Sequence, residues 1–321
     1  MNIEVKYKDD KNSIYHQNHY LSKLAFAKHV ICVGKATLSW DVTVFVRSLA
    51  TLIYYSDYVK SADFYNSKFS LPPIELSDPT EKGQFSNIAG RAIADFLSKK
   101  ISGSIFTWNY EAAMRSLDIG IVGPRPDLLA FTDSKIFSIE AKGYTDGPRN
   151  MDEHKKQAAS GQIIVDFSVA SVSYSLYSQV RCNYYDPIQN KTPDFKEALT
   201  KVSKDYYSGF LDFLDLGVSK FAFKNENYYE IELSLGSTFV ELYLNDTKPK
   251  SKSSYKLSLL LPVQIRKYAE NGIFEELKSF DIDNIIMPNE QNEKEDYNDE
   301  IFIDKDGIGL RVTKKIEERK K

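Results

Sequence analysis

Residues 125–142 constrain the fold of this chain more than any other segment. Two runs rich in aliphatic, β-branched and aromatic side chains, 125–131 and 136–142, flank Thr132, Asp133, Ser134 and Lys135. Polar residues between two such runs mark a tight chain reversal, and the segment reads as a β-hairpin. With Asp133 and Ser134 as its loop, counting back along both strands sets Asp127 opposite Glu140 and Arg125 opposite Lys142.

That pairing has chemical consequences. Cross-strand partners hold their Cβ atoms about 4.5–5.5 Å apart, near enough for two carboxylates to grip one divalent ion at about 2.1 Å per oxygen. Two ionised carboxylates so placed repel, and one pKa rises unless a cation lies between them. Leu128, Leu129, Ala130, Phe131, Ile136, Phe137 and Ile139 surround the acids with apolar neighbours, where an unpaired charge is costly. Glu140 and Lys142 are two residues apart and share one face of their strand, so an ammonium joins the pair. Ala141 turns its side chain to the other face and leaves its backbone carbonyl as a further ligand. A Mg²⁺ or Mn²⁺ ion at such a site acts as a Lewis acid on a phosphodiester and lowers the pKa of a bound water. Lys142 would hold that water or offset the charge of the transition state.

The surroundings of the hairpin read as a three-layer α/β unit. Phe85, Ile88, Ala89, Ala92, Ile93, Phe96 and Leu97 predict an amphipathic helix over 84–100, ended near Gly103. A strand over 104–110, a short helix over 111–117, a polar helix over 152–162 and paired strands over 163–177 and 179–185 follow from their periodicity. Before this unit, residues 15–65 carry apolar positions at helical spacing, and Pro72 and Pro73 place a boundary near Leu76. After Asn190 the pattern predicts a helix over 195–216, strands over 228–235 and 239–244, a strand and helix over 255–280, and a strand pair around Asp306-Gly307.

Arg125-Pro126-Asp127-Leu128-Leu129-Ala130-Phe131 followed by Glu140-Ala141-Lys142, with a helix before and a helix and strands after, resembles the PD-(D/E)XK nuclease superfamily over about residues 81–187. The resemblance implies an α/β fold with a restriction-endonuclease-like core of order αβββαβ and a mixed sheet, spanning 76–190. A mostly helical region, 1–75, and an α+β region, 191–321, would be its additions. Asp127 and Glu140 would be metal ligands and Lys142 the residue serving the attacking water. Many members add an acid from the first helix, for which Asp95, Glu81 and Glu111 are the candidates. Gln157 is similar to a glutamine found after the lysine strand in relatives of the recombination exonucleases. Arg125, Lys155 and Lys156 suit an approaching phosphate backbone.

Composition bears on what else is open. The net charge is −3, with Lys and Arg numbering 42 against 45 Asp and Glu, so charge alone points to no polyanion. Ten acids against two lysines lie between Asp281 and Asp306, a segment that reads as solvated loop. Lys248, Lys250, Lys252 and Lys256 form an acid-free run that reads as an exposed hairpin loop or a phosphate contact. Two distant cysteines, Cys32 and Cys182, exclude a disulfide scaffold and read as buried small hydrophobes. His16 and His19 stand at helical spacing with no acid to complete a metal set, and His29 with Cys32 lacks a third group to orient a nucleophile.

No apolar run is long enough for a membrane span, and the polar start lacks a secretory signal, so a cytoplasmic address is expected. The expected activity is Mg²⁺- or Mn²⁺-dependent hydrolysis of DNA, in restriction, repair or defence against foreign DNA, with RNA also open as substrate. The alternative is a catalytically inactive nucleic-acid-binding or assembly module on the same scaffold. A homodimer or a partner protein would use the N- or C-terminal region.

Overall fold

Ile3 and Val5 alternate with exposed and half-buried Asn2, Glu4 and Lys6, the period of a strand with one covered face. In the computed structural model, which describes residues 1–9, 11–33, 42–72, 78–189, 194–246, 255–274 and 299–314, the chain accordingly opens with a hairpin. Strands β1 (Asn2–Lys8) and β2 (Ile14–Tyr20) pair antiparallel. The helical start expected within 1–75 therefore gives way to strands over the first twenty residues, and helices follow as α1 (Lys23–Cys32), α2 (Val42–Tyr54) and α3 (Ser61–Tyr65). His16 and His19 thereby project from opposite faces of β2.

Helix α4 (Pro79–Ile101) begins where Asp78 accepts the Thr80 N–H and Pro79 occupies the first turn, the usual capping chemistry. It is followed by β3 (Phe106–Asn109), α5 (Tyr110–Ser116), β4 (Leu128–Phe131), β5 (Ile136–Gly143), α6 (Met151–Ala158), β6 (Phe167–Tyr174) and β7 (Arg181–Gln189). All seven strands so far form one mixed sheet in the order β2-β1-β7-β6-β5-β4-β3. The β3–β4 and β4–β5 pairs are antiparallel, β5–β6 is parallel with α6 as the crossover, and β6–β7 is antiparallel. The N-terminal hairpin extends this sheet through a parallel β1–β7 pair.

The second part of the chain contains α7 (Phe195–Ser208), a 3₁₀ turn (Leu211–Leu216), β8 (Ser219–Phe223), β9 (Glu226–Glu232), α8 (Gly236–Phe239), β10 (Tyr255–Pro262), α9 (Ile265–Asn271), β11 (Asp299–Ile303) and β12 (Gly309–Lys314). Its five strands order as β11-β12-β10-β9-β8. The strand expected over 239–244 is instead a helical turn continuing α8, because Phe239, Val240 and Tyr243 bury one helical face. One hydrophobic cluster runs from Met1 through Phe106 and Tyr206 to Val312, drawing on all three regions of the chain. Among the described residues no helix is long and apolar enough to cross a membrane.

The acidic segment is only partly described, and its described end overturns the solvated-loop reading. Asp304 and Asp306 are buried. Lys28 Nζ lies 2.5 Å from a carboxylate oxygen of each, and Lys99 also bonds Asp304. Residues 281–298, and with them most of that segment, lie outside the described residues, as do Lys248, Lys250 and Lys252. Lys256 sits on β10 beside Glu230 and Glu232, at 3.6 and 3.7 Å.

Candidate functional site

Over residues 128–139 the hairpin register is the one its loop dictates. Asp127 N–H bonds the Ile139 carbonyl at 3.1 Å, so the ladder slips by one residue there, and the expected pairs Asp127–Glu140 and Arg125–Lys142 are not part of it. Leu128 pairs with Ile139, Leu129 with Ser138, Ala130 with Phe137 and Phe131 with Ile136, and Thr132 N–H closes the turn on the Lys135 carbonyl. Asp127 stands at the entrance to β4, its carboxylate accepting the Ala141 N–H at 3.0 Å. Since Ala141 directs its N–H toward β4, its carbonyl points the same way, as in any extended strand.

Glu140 is fully buried in β5. Lys142 Nζ lies 2.5 Å from Glu140 Oε1 and 3.3 Å from Asp127 Oδ2. The first approach is off the direction a hydrogen bond needs, so both Glu140 oxygens lack a well-formed donor among the described residues. Burial, and then the charge of Asp127, push the Glu140 carboxyl up to about 8. Burial works against the charge of Lys142, but Asp127 and Glu140 outweigh it and hold the ammonium above its ordinary value. Once Glu140 ionises, two carboxylates share a single ammonium, a donor set that a divalent cation would complete.

The position of this group depends on a close crossing of helix and strand. α4 passes the end of β5 at Gly90, where a Cβ would lie 2.5 Å from the Lys142 carbonyl carbon. No side chain fits between the two backbones, so the helix rests directly on the strand that carries Lys142.

Beside Asp127 opens a polar pocket of about 310 Å³ lined by Asn109, Glu111, Arg125 and Gln157 among others. Arg125, read from sequence as facing a phosphate, is tied to Glu111, with Nε 2.7 Å from Oε1. Gln157 Nε2 donates to the Arg125 carbonyl at 3.4 Å. Lys156 is exposed and Lys155 half-buried on α6.

Of the three upstream acids, Glu111 is the one brought to the pocket of Asp127. Glu81 accepts a hydrogen bond from Tyr54 at 3.0 Å. Asp95 is committed elsewhere: it accepts from His29 Nδ1 at 2.6 Å and Thr107 Oγ1 at 2.7 Å, and pairs with Lys99.

Sequence reasoning missed two features. His154 on α6 is buried and its Nε2 lies 3.1 Å from the Tyr144 hydroxyl; burial, and then nearby Lys142, lower its pKa. Its spacing from the hairpin carries no local signal. The second is the buried charge cluster of Lys28, His29, Asp95, Lys99, Asp304 and Asp306. Burial alone would raise the Asp304 carboxyl, but Lys28 and Lys99 hold it far below the usual carboxylate range. Ligand atoms of His29, Asp95 and Asp304 lie within 4.8 Å of one another, a spacing that a metal ion could bridge. The ammonium groups of Lys28 and Lys99 already neutralise that position. Cys32, at the end of the same helix as His29, is pushed up to about 12 by burial and is no nucleophile.

Comparison of the chain with protein-family models, curated proteins and solved structures finds no match.

Proposed function

We propose that this chain is a metal-dependent nuclease that hydrolyses phosphodiester bonds of DNA at the Asp127–Glu140–Lys142 site. The observation that carries the reading is the fully buried Glu140 carboxylate without a well-formed hydrogen bond, set beside Asp127 and an ammonium. One ammonium serves two carboxylates there, and a divalent cation would balance the second. The order α4, β3, β4, β5, α6, β6, with a short helix α5 inserted after β3, agrees with the αβββαβ core of the PD-(D/E)XK superfamily that the sequence resembles.

Asp127 and Glu140 would hold Mg²⁺ or Mn²⁺, with the Ala141 carbonyl as a third oxygen. A cation bound there supplies Lewis-acid polarisation of the phosphate and a water of lowered pKa. Lys142, its side chain 27% exposed, reaches from the buried acid to solvent. There it orients a water and offsets negative charge gathering on the phosphoryl oxygens. Arg125 and Gln157, at the mouth of the adjoining pocket, would position the strand that continues past the cut.

The test is incubation of the purified protein with single-stranded, linear duplex and supercoiled DNA, and with RNA, in Mg²⁺, Mn²⁺ or EDTA. Lys142→Ala and Asp127→Ala should each lower metal-dependent cleavage by at least about 100-fold. Cleavage that persists in EDTA, or in either variant, would remove these residues from the chemistry. Tight metal-independent DNA binding without cutting would favour a binding module.

A further inference from the structure

The seven-stranded sheet ends on β2, whose sequence Ile14-Tyr15-His16-Gln17-Asn18-His19-Tyr20 contains no Lys, Arg, Asp, Glu or Pro. Terminal strands present unpaired backbone groups, and proteins ordinarily guard them with charge, proline or a bulge. β2 has none of these guards, pairs with β1 in unbroken register and is exposed at every residue except half-buried His19, with Ile14 at 51% and Tyr15 at 47%.

We propose that the outer edge of β2 is a self-association surface, at which a second copy of this chain pairs antiparallel about Gln17 and joins two seven-stranded sheets into one. The direction of the backbone groups supports this register. Leu21 N–H bonds the Met1 carbonyl and Asp9 N–H bonds the Ser13 carbonyl, so in this hairpin the odd-numbered residues turn their N–H and C=O toward the partner strand. His16 and Asn18 therefore turn theirs outward.

A two-fold axis through Gln17 sets His16 of one copy against Asn18 of the other, and Asn18 against His16. Both pairs consist of outward-facing residues, which gives about four central backbone hydrogen bonds. The same axis overlaps all seven residues, sets Ile14 against Tyr20 of the second copy and Tyr15 against His19, and brings no charged side chains together. A two-fold pairing brings the charges of a strand close to their own copies, and β2, which has no Lys, Arg, Asp or Glu, meets no such repulsion from a second copy of this chain.

Gln17→Cys tests the register. The two Gln17 positions form a non-hydrogen-bonded pair with Cα atoms about 4.5 Å apart, within disulfide reach, while native Cys32 and Cys182 are buried and cannot compete. Mild oxidation should convert Gln17→Cys to a covalent dimer, and wild type should remain unlinked. Light scattering of wild type should show a concentration-dependent dimer. Asn18→Pro should abolish it without changing circular dichroism or melting temperature, because the lost N–H faces outward and serves no bond within the hairpin. A wild-type monomer at the highest soluble concentration, no cross-link in Gln17→Cys, or an undiminished dimer in Asn18→Pro would each overturn the proposal.

Discussion

Glutamine in place of Glu140 keeps the shape of the side chain and removes its titration, which makes Glu140→Gln a direct probe of the charge at the hairpin. The unfolded chain releases the Glu140 proton near 4.5, whereas burial and the Asp127 charge keep it on the folded protein up to about 8. Between those values the folded state binds more protons than the unfolded state. Stability from this residue is thus fully present below 4.5 and lost as pH rises through 8. At about 1.4 kcal/mol per pH unit the rise corresponds to about 5 kcal/mol as a ceiling, and a few kcal/mol once Lys142 and entering water relax around the charge. Urea unfolding in EDTA, followed by circular dichroism at about pH 5, 7 and 9, should show wild type losing stability relative to Glu140→Gln. The two should converge at the acidic end. Adding Mg²⁺ at the alkaline end should restore wild type and leave Glu140→Gln unchanged. Parallel curves for the two proteins across this range would refute the idea that Glu140 is held uncharged by its surroundings.

Other expectations follow from the packing. Gly90→Ala puts a methyl group into the Lys142 backbone, and should cost about 1–3 kcal/mol in unfolding experiments while lowering cleavage beyond any loss of folded protein. Lys99→Met leaves Asp95, Asp304 and Asp306 with one fewer ammonium and should destabilise by about 3–5 kcal/mol in denaturant titration; an unchanged midpoint would contradict the charge cluster. Burial pushes the Cys32 and Cys182 thiols up to about 12 and about 11, so a thiol reagent should label neither in the native state and both in urea. Glu111→Gln, which releases Arg125 from its ion pair, should shift KM for DNA more than kcat if Arg125 positions substrate, and leave both unchanged if it does not.

The hairpin at the centre of the site was legible because a two-residue loop between apolar runs leaves one register, and Leu128 to Ile139 confirms that count. Helix α4 was legible from its apolar stripe. β2 carried no such signal: its side chains are exposed on both faces, so nothing in its composition alternates. The turn at Phe239–Tyr243 was read as a strand because its aromatic and β-branched residues favour extended chain, and tertiary burial of one helical face prevailed. Asp304 and Asp306 were hidden by their neighbours in sequence. Their partners lie more than two hundred positions away, on α1 and α4, a distance over which local charge patterning is silent. Asp95, one of three upstream candidates, is held instead by Lys99, His29 and Thr107, a set of partners that helix periodicity alone does not reveal.

The ties from Lys28 and Lys99 to Asp304 and Asp306 also bear on how the chain is made. As it emerges during synthesis, α1 and α4 are complete long before Asp304 and Asp306 exist; until the last hairpin arrives Lys28 must stay wet and Lys99 has Asp95 alone as its counter-ion. A fragment stopped ahead of residue 304 would carry the whole Asp127–Glu140–Lys142 group yet lack the anions that let those lysines leave water. The hairpin that carries Asp127, Glu140 and Lys142 is therefore local in sequence, while permission to bury the helix that supports it comes from the far end of the polypeptide.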